Sequence, residues 1–197
     1  MRFSVTETIW GGVGRNSKNK RRDTRTFPPK ITVRRREGEP FQILFLSKRG
    51  VSRAPMAREV LRDLVKQGAL RGTFRISCRG VRPEYDECPI DQRMKEVSQN
   101  QNYLLPEFSK CVQEVELKEA HLIITMGLES KKFVEKNKET IGGATHPFGH
   151  FLPVGSDPYL PDPFLQRNED YESHYTKLIG LIEKGCQDIF DSIPFLS

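Results

Sequence analysis

An α/β domain with a central parallel sheet covered on both faces is predicted by three observations. Short apolar runs of strand length alternate with amphipathic helical segments. The middle run is apolar at successive positions, as a strand buried on both faces requires. A break in charge and composition near Pro40 separates this region from a basic leader. Taking the elements in order, Phe41 to Leu46 reads as the first strand. A turn-like segment, Ser47 to Arg53, follows it. Ala54-Pro55 opens a helix, since the N–H that proline lacks is dispensable in a first helical turn. Met56, Val60, Leu61 and Leu64 repeat at helical spacing, and Gly68 is a natural stop. Phe74 to Cys78 reads as the second strand, Asp91 to Gln99 and Glu107 to Val115 as helices, and His121 to Met126 as the third strand. Glu129 to Lys136 is helical, and a Gly/Pro-rich loop runs from Gly142 to Pro163. Asp170 to Ile193 closes the chain as a long helix with Tyr171, Tyr175, Leu178, Leu181, Ile182 and Ile189 on its inner face. The expected architecture is three-layer α/β/α.

The leader has a different character. Residues 1–40 carry a net charge of +7, whereas residues 41–197 carry −1. Gly11, Gly12 and Gly14, the run Lys18-Asn19-Lys20-Arg21-Arg22, Pro28-Pro29 and Arg34-Arg35-Arg36 read as a flexible arm, with Ile31-Thr32-Val33 able to add a short strand. The arm is a possible polyanion contact, although it lacks the aromatic interleaving of a nucleic-acid platform. The expected division is therefore an arm at 1–40 and one folded domain at 41–197.

Other totals exclude several classes. No run of 18 or more apolar residues suggests a membrane span, and the N-terminus lacks the apolar core of a signal peptide. Cys78, Cys88, Cys111 and Cys186 form no C-x-x-C pair, so free thiols in a cytoplasmic protein are expected, without zinc or another cofactor. His146 and His150 are broken from helical spacing by Pro147 and Gly149 and have no third ligand nearby. They read as loop polar residues, and no metal site is expected.

The candidate chemistry lies after the first strand, where ligands sit in parallel sheets. A tight loop running into a helix N-terminus aims several backbone N–H groups at one point and suits a phosphate. Lys48, Arg49, Gly50, Val51, Ser52 and Arg53 would form this cradle. Gly50 permits the positive φ that it needs, and the planar Arg53 guanidinium can grip two phosphate oxygens.

Ser47-x5-Arg53 after an apolar strand, followed by Ala54-Pro55-Met56-Ala57, resembles the Cys-x5-Arg-Ser-Pro-x-Ala phosphate loop of the low-molecular-weight protein tyrosine phosphatases. Asp162-Pro163-Phe164, the strand His121 to Met126 and the closing helix stand in that family's order. The resemblance covers roughly residues 41–193. It implies Ser47 at the nucleophile position, Arg53 as phosphate grip, Asp162 as general acid and Phe164 flanking the substrate ring. Asp157-Pro158-Tyr159 is a competing copy of the acid segment, but Asp162 lies at the better distance from the closing helix. Phosphate or a phosphotyrosine-bearing protein is the implied partner.

The departures bear on activity. A thiol ionises far more readily than the hydroxyl of Ser47, and no histidine in the loop can act as its base. Ala54 stands where the family has a hydroxyl supporting its thiolate, Gly50 replaces a loop Asn, Arg49 replaces a Gly, and Leu165 replaces a second aromatic. Arsenate reduction is disfavoured because Ser47 is no thiol and Cys78 and Cys88 do not match a downstream redox pair. The expectation is a phosphatase-like phosphate-binding domain impaired in catalysis, a pseudophosphatase. An active phosphotyrosine phosphatase and a polyanion-binding protein acting through the arm are the alternatives.

Overall fold

The structure is a computed structural model that describes Pro29, Ile31 and residues 38–165 and 170–193. Four parallel strands form its sheet: β1 Phe41–Ser47, β2 Phe74–Gly80, β3 Leu122–Thr125 and β4 Ala144–Pro147, in the order β2-β1-β3-β4. The helices are α1 Arg53–Gln67, α2 Gln92–Gln99, α3 Glu114–Glu119, α4 Leu128–Lys136 and α5 Tyr171–Asp191.

The alternation along β1 explains the layers. Successive side chains of a strand point to opposite faces. Phe41, Ile43 and Phe45 enter one core with Met56, Val60 and Leu61 of α1, Met94 of α2 and Leu178, Ile182 and Ile189 of α5. Leu44 and Leu46 enter a second core with Ile123, Leu117 of α3 and Val134 of α4. Both faces are thus apolar and both are covered, which gives the three-layer α/β/α fold. Each fully buried side chain of this size contributes roughly 1.5–3 kcal/mol relative to an exposed one.

The strand order places the site. The chain moves from β1 to β2 on one side and then returns to β3 on the other side of β1. Connections therefore diverge at the carboxyl ends of β1 and β3, the point where open parallel sheets leave a crevice.

Three expectations require correction. Glu107 to Val115 is not a helix. Residues 107–112 are irregular with isolated bridges at Phe108 and Cys111, and Ile90 N–H donates to Glu107 O, Ser109 N–H to Cys88 O and Val112 N–H to Gly80 O. Those bonds use the backbone groups a helix would need, and the helix begins only at Glu114. Ala144–Pro147 is a strand inside the expected Gly/Pro-rich loop, pairing Leu122 with Ala144 and Thr125 with Pro147. It is a short edge strand, where proline is tolerated because its missing N–H faces away from the ladder. On α5, Tyr171 and Leu181 are exposed (37% and 39%), while Ile179, Gly185 and Cys186 join Tyr175, Leu178, Ile182 and Ile189 inside.

The expected flexible arm lies outside the described residues, apart from Pro29, Ile31 and 38–40. Ile31 lies outside any strand, is 2% exposed and belongs to the larger core. No helix among the described residues is long and apolar enough to cross a membrane.

Candidate functional site

The loop from Ser47 to Ser52 joins β1 to α1 and closes on itself. Gly50 N–H donates to Ser47 Oγ at 3.1 Å. Gly50 has φ +74°, and a Cβ there would lie 2.6 Å from the Gly80 amide nitrogen. The backbone at the end of β2 therefore fills the space a side chain would need, and only glycine fits both the torsion and the contact. The expected positive φ at Gly50 is present.

At the start of α1, the Ser52 side chain makes no capping bond and the first turn carries no acidic residue. Ser52 Oγ is buried without a hydrogen-bond partner among the described residues. The leading amides of α1 are thus not neutralised by the protein's own carboxylates, the state in which a helix N-terminus accepts an outside anion.

Arg53, 8% exposed, is the buried cation of the site. Its Nη1 donates to Leu160 O at 3.0 Å and, more loosely, to Met126 O at 3.5 Å. Its Nη2 lies 3.4 Å from Asp162 Oδ2. Burial, the largest effect, lowers the Arg53 pKa. Asp162 opposes that shift, and the charge of Arg49 adds to it. A guanidinium stays protonated regardless. Gly127, after β3, keeps this group close, since a Cβ there would sit 3.3 Å from Arg53 Nη1.

The two Asp-Pro segments separate clearly. Asp162 Oδ1 accepts from Phe164 N–H at 3.1 Å, and Asp157 Oδ1 accepts from Tyr159 N–H at 3.1 Å. Both make the same local turn, but it is Asp162 that reaches Arg53. Ser47 through Arg53, Asp162 and Phe164 together line one small cavity of about 10 Å³, room for about one water. A groove of about 520 Å³ adjoins it, lined by Lys48, Leu128, Asp157 and Tyr159 among others. Another cleft of about 540 Å³ between α1, β2 and residues 102–104 mixes acids and bases and lacks the amide cradle.

Several supporting residues escaped the sequence reading. Asp91 caps α2 by accepting from Arg93 N–H at 3.3 Å, and its own N–H holds Val51 O at 2.9 Å. Tyr175 of α5 donates its hydroxyl to Asp91 Oδ2. Burial first, then that bond, pushes the Tyr175 pKa up, so the hydroxyl stays protonated and donating. This chain ties the loop to two helices. Tyr85 also reaches the site: Arg49 Cζ lies 5.1 Å from its ring centroid and 4.5 Å from that of Phe164. The sequence placed Asp91 at the start of a helix, but its link to the loop is a tertiary contact with no local signature.

Elsewhere, burial raises the pKa values of the Cys78 and Cys186 thiols and lowers that of His146. The four cysteines are free. Among the described residues no cluster of three or more His, Cys, Asp or Glu side chains is arranged to hold a metal ion.

Comparison with known proteins agrees with this architecture. The family profile described as low molecular weight phosphotyrosine protein phosphatase matches residues 42–194. A protein tyrosine phosphatase from Entamoeba histolytica, solved with Hepes in its active site, is similar with TM-score 0.68 and 17% identity, covering 77% of this chain and 95% of that one. YfkJ from Bacillus subtilis is similar with TM-score 0.70 and 20% identity, covering 82% and 99%. A Drosophila arginine phosphatase is similar with TM-score 0.66 and 16% identity, covering 76% and 95%. No curated protein sequence matches.

Proposed function

Because the chain belongs to the low molecular weight phosphotyrosine protein phosphatase family, we propose that it uses that family's site to bind phosphate or a phosphorylated side chain and hydrolyses it weakly. The observation that carries this reading is Ser47. Its Oγ already accepts the Gly50 N–H, and among the described residues no histidine or carboxylate hydrogen-bonds to it. A serine hydroxyl needs an adjacent base to become a nucleophile. The cysteine of the family needs only the helix N-terminus and a nearby arginine to become a thiolate.

In this reading the amides of residues 48–53 and the Arg53 guanidinium hold the equatorial phosphate oxygens, and Phe164 flanks the group that carries the phosphate. Asp162, beside Arg53, serves in this reading as the proton donor to a leaving oxygen. Ala54, fully buried at the loop's end, offers no hydroxyl to support a thiolate. A phosphoprotein is the natural partner for such a pocket, and free cysteines fit a cytoplasmic setting. The +7 charge on residues 1–40 supports a separate polyanion contact. Deleting residues 1–28, which stops short of the core residue Ile31, should weaken that salt-dependent binding and leave phosphate binding and the fold of 41–193 intact.

Steady-state hydrolysis of p-nitrophenyl phosphate tests the catalytic half. The native chain should turn over barely above Ser47→Ala. Ser47→Cys should raise the rate, and Ser47→Cys with Ala54→Ser should raise it further. The added gain is at most about 10–150-fold, the worth of one hydrogen bond to a charge of roughly 1.5–3 kcal/mol. Asp162→Asn should depress both cysteine variants. Robust turnover by the native chain that disappears in Ser47→Ala would establish Ser47 as a working nucleophile and the chain as an active phosphatase.

A further inference from the structure

The phosphate cradle has a second cation that its phosphate-gripping role does not require. Arg49 rises from the loop and lays its guanidinium 4.5 Å from the Phe164 ring centroid and 5.1 Å from that of Tyr85. Arg93 lies against the same Phe164 ring at 5.6 Å. Two planar cations thus already sit against the aromatic ring expected to flank a substrate. Arg49 and Phe164 both line the cavity of about 10 Å³, so the space a substrate ring would take beside Phe164 is filled by the protein's own guanidinium.

The charges around the loop sort unevenly. Arg53 is held by Asp162, Arg82 by Glu129 and Arg93 by Asp91. Among the described residues no carboxylate pairs with Arg49. A guanidinium stacked on a ring by its face still presents N–H donors along its edge, in the fork that matches a carboxylate or phosphate.

We propose that Arg49 is the specificity-determining residue of this pocket: it occupies the aryl position beside Phe164 and Tyr85, and selects a phosphate borne on a non-aromatic carrier with a second anionic group. The inference rests on the phosphate-binding reading given above. The phosphoryl group would lie on the loop amides and Arg53, while the second anion meets the free edge of Arg49. An aryl phosphate would first have to displace Arg49 from two rings and expose them. In that respect this loop differs from the glycine that Arg49 replaces in the family pattern, which leaves the aryl position open.

Calorimetric titration of the full chain with four probes decides the matter: inorganic phosphate, phenyl phosphate, glycerol 3-phosphate and 3-phosphoglycerate. Each affinity is taken relative to inorganic phosphate on the same protein. The native chain should favour 3-phosphoglycerate over glycerol 3-phosphate by about tenfold, the lower end for a hydrogen bond to a charged group, and should gain nothing from the phenyl ring. Arg49→Ala should erase the carboxylate preference and improve the phenyl phosphate ratio by about tenfold, as a ring gains an aromatic neighbour. Arg49→Lys, which keeps the charge without the plane, should retain part of the carboxylate preference and so separates a lost contact from a damaged loop. A native chain that already prefers phenyl phosphate, or ratios unchanged in Arg49→Ala, overturns the assignment while leaving the phosphate site standing. Failure of inorganic phosphate to bind the native chain more tightly than Arg53→Ala removes the phosphate reading itself, and this inference with it.

Discussion

Two strand-to-helix junctions lie side by side at the carboxyl edge of the sheet, and they end differently. At β1–α1 the helix begins with no acidic residue in its first turn and no side-chain cap. At β3–α4 Ser130 Oγ accepts from Gly127 N–H at 3.2 Å and donates to Gly127 O at 2.8 Å, and Glu129 sits in the first turn, although this helix too lacks a side-chain cap. The same topology gives two N-termini without a side-chain cap on their leading amides, one with no acidic residue in its first turn and one with Glu129 there. Position at the switch point is shared, so the difference between the junctions lies in the charge of the first turn, which at β1–α1 leaves the positive helix end unanswered by a carboxylate. The β3–α4 junction contributes instead by backbone, through the Met126 carbonyl and the narrow space at Gly127 that hold Arg53.

The largest break in this contrast should come from Gly50→Ala. An L-residue at φ +74° costs roughly 1–2 kcal/mol, and the new Cβ would meet the Gly80 nitrogen at 2.6 Å. The loop must move, and phosphate binding by calorimetry should vanish while a residual fold persists by circular dichroism. Native-like affinity in Gly50→Ala would mean that the cradle is not where phosphate sits. Next in size is Arg53→Ala, with phosphate affinity expected to fall about 100-fold, the worth of two hydrogen bonds to charge at roughly 1.5 kcal/mol each. Its thermal stability should fall too, because the Leu160 carbonyl loses its buried donor. Millimolar phosphate should protect the native chain against heat and leave Arg53→Ala unprotected.

Much of the local geometry at this candidate site was legible in the sequence. Gly50, Arg53 and Pro55 carry local signals, because a β–α loop needs a positive φ, an anion grip and a helix start at fixed offsets. Asp162 was separable from Asp157 only by its distance to the closing helix. Their turns are locally alike, and the ion pair with Arg53 is what tells them apart. What stayed hidden was non-local. Tyr85 reaches Arg49 from the turn after β2, and Asp91 joins Val51 to Tyr175 across more than 80 residues of sequence. The strand Ala144–Pro147 was missed because its histidine and proline weaken both period and propensity, and pairing with β3 supplies what they lack. The false helix at 107–115 had apolar spacing, but its backbone groups were already claimed by Gly80, Cys88 and Ile90.

Tyr175→Phe sharpens the comparison at a distance. It removes the hydroxyl that Asp91 accepts and should destabilise the fold by about 1–3 kcal/mol, the usual cost of leaving a buried acceptor unpaired. Phosphate affinity should fall less than in Arg53→Ala, since Asp91 still holds Val51 through its backbone. The pH dependence has a definite sign. The Tyr175 pKa is raised above its ordinary 10.0 by burial and by Asp91. Its contribution is therefore complete below pH 10 and is lost as pH climbs through that value towards the folded one. Denaturant midpoints measured from pH 8 to pH 11 should decline more steeply in the native chain than in Tyr175→Phe. Parallel curves would show that Tyr175 does not govern the alkaline arm.

The smallest expected effect falls on the β3–α4 junction. Ser130 is fully buried, and its hydroxyl meets both the N–H and the carbonyl of Gly127. Ser130→Ala removes both bonds and should cost about 1 kcal/mol of stability, the net worth of an ordinary hydrogen bond. The freed Gly127 amide would lie at the N-cap of α4, beside a first turn where Glu129 already provides negative charge. A new anion site should therefore not appear, and phosphate affinity at the β1–α1 loop should match that of the native chain within about twofold, as expected for a site that shares no hydrogen bond with Ser130. Paired urea melts and phosphate titrations on Ser130→Ala read both quantities. If affinity for phosphate fell along with stability, the two junctions would be energetically coupled through Gly127 and Arg53, and the Ser130–Gly127 pair would have to be counted as part of the phosphate site.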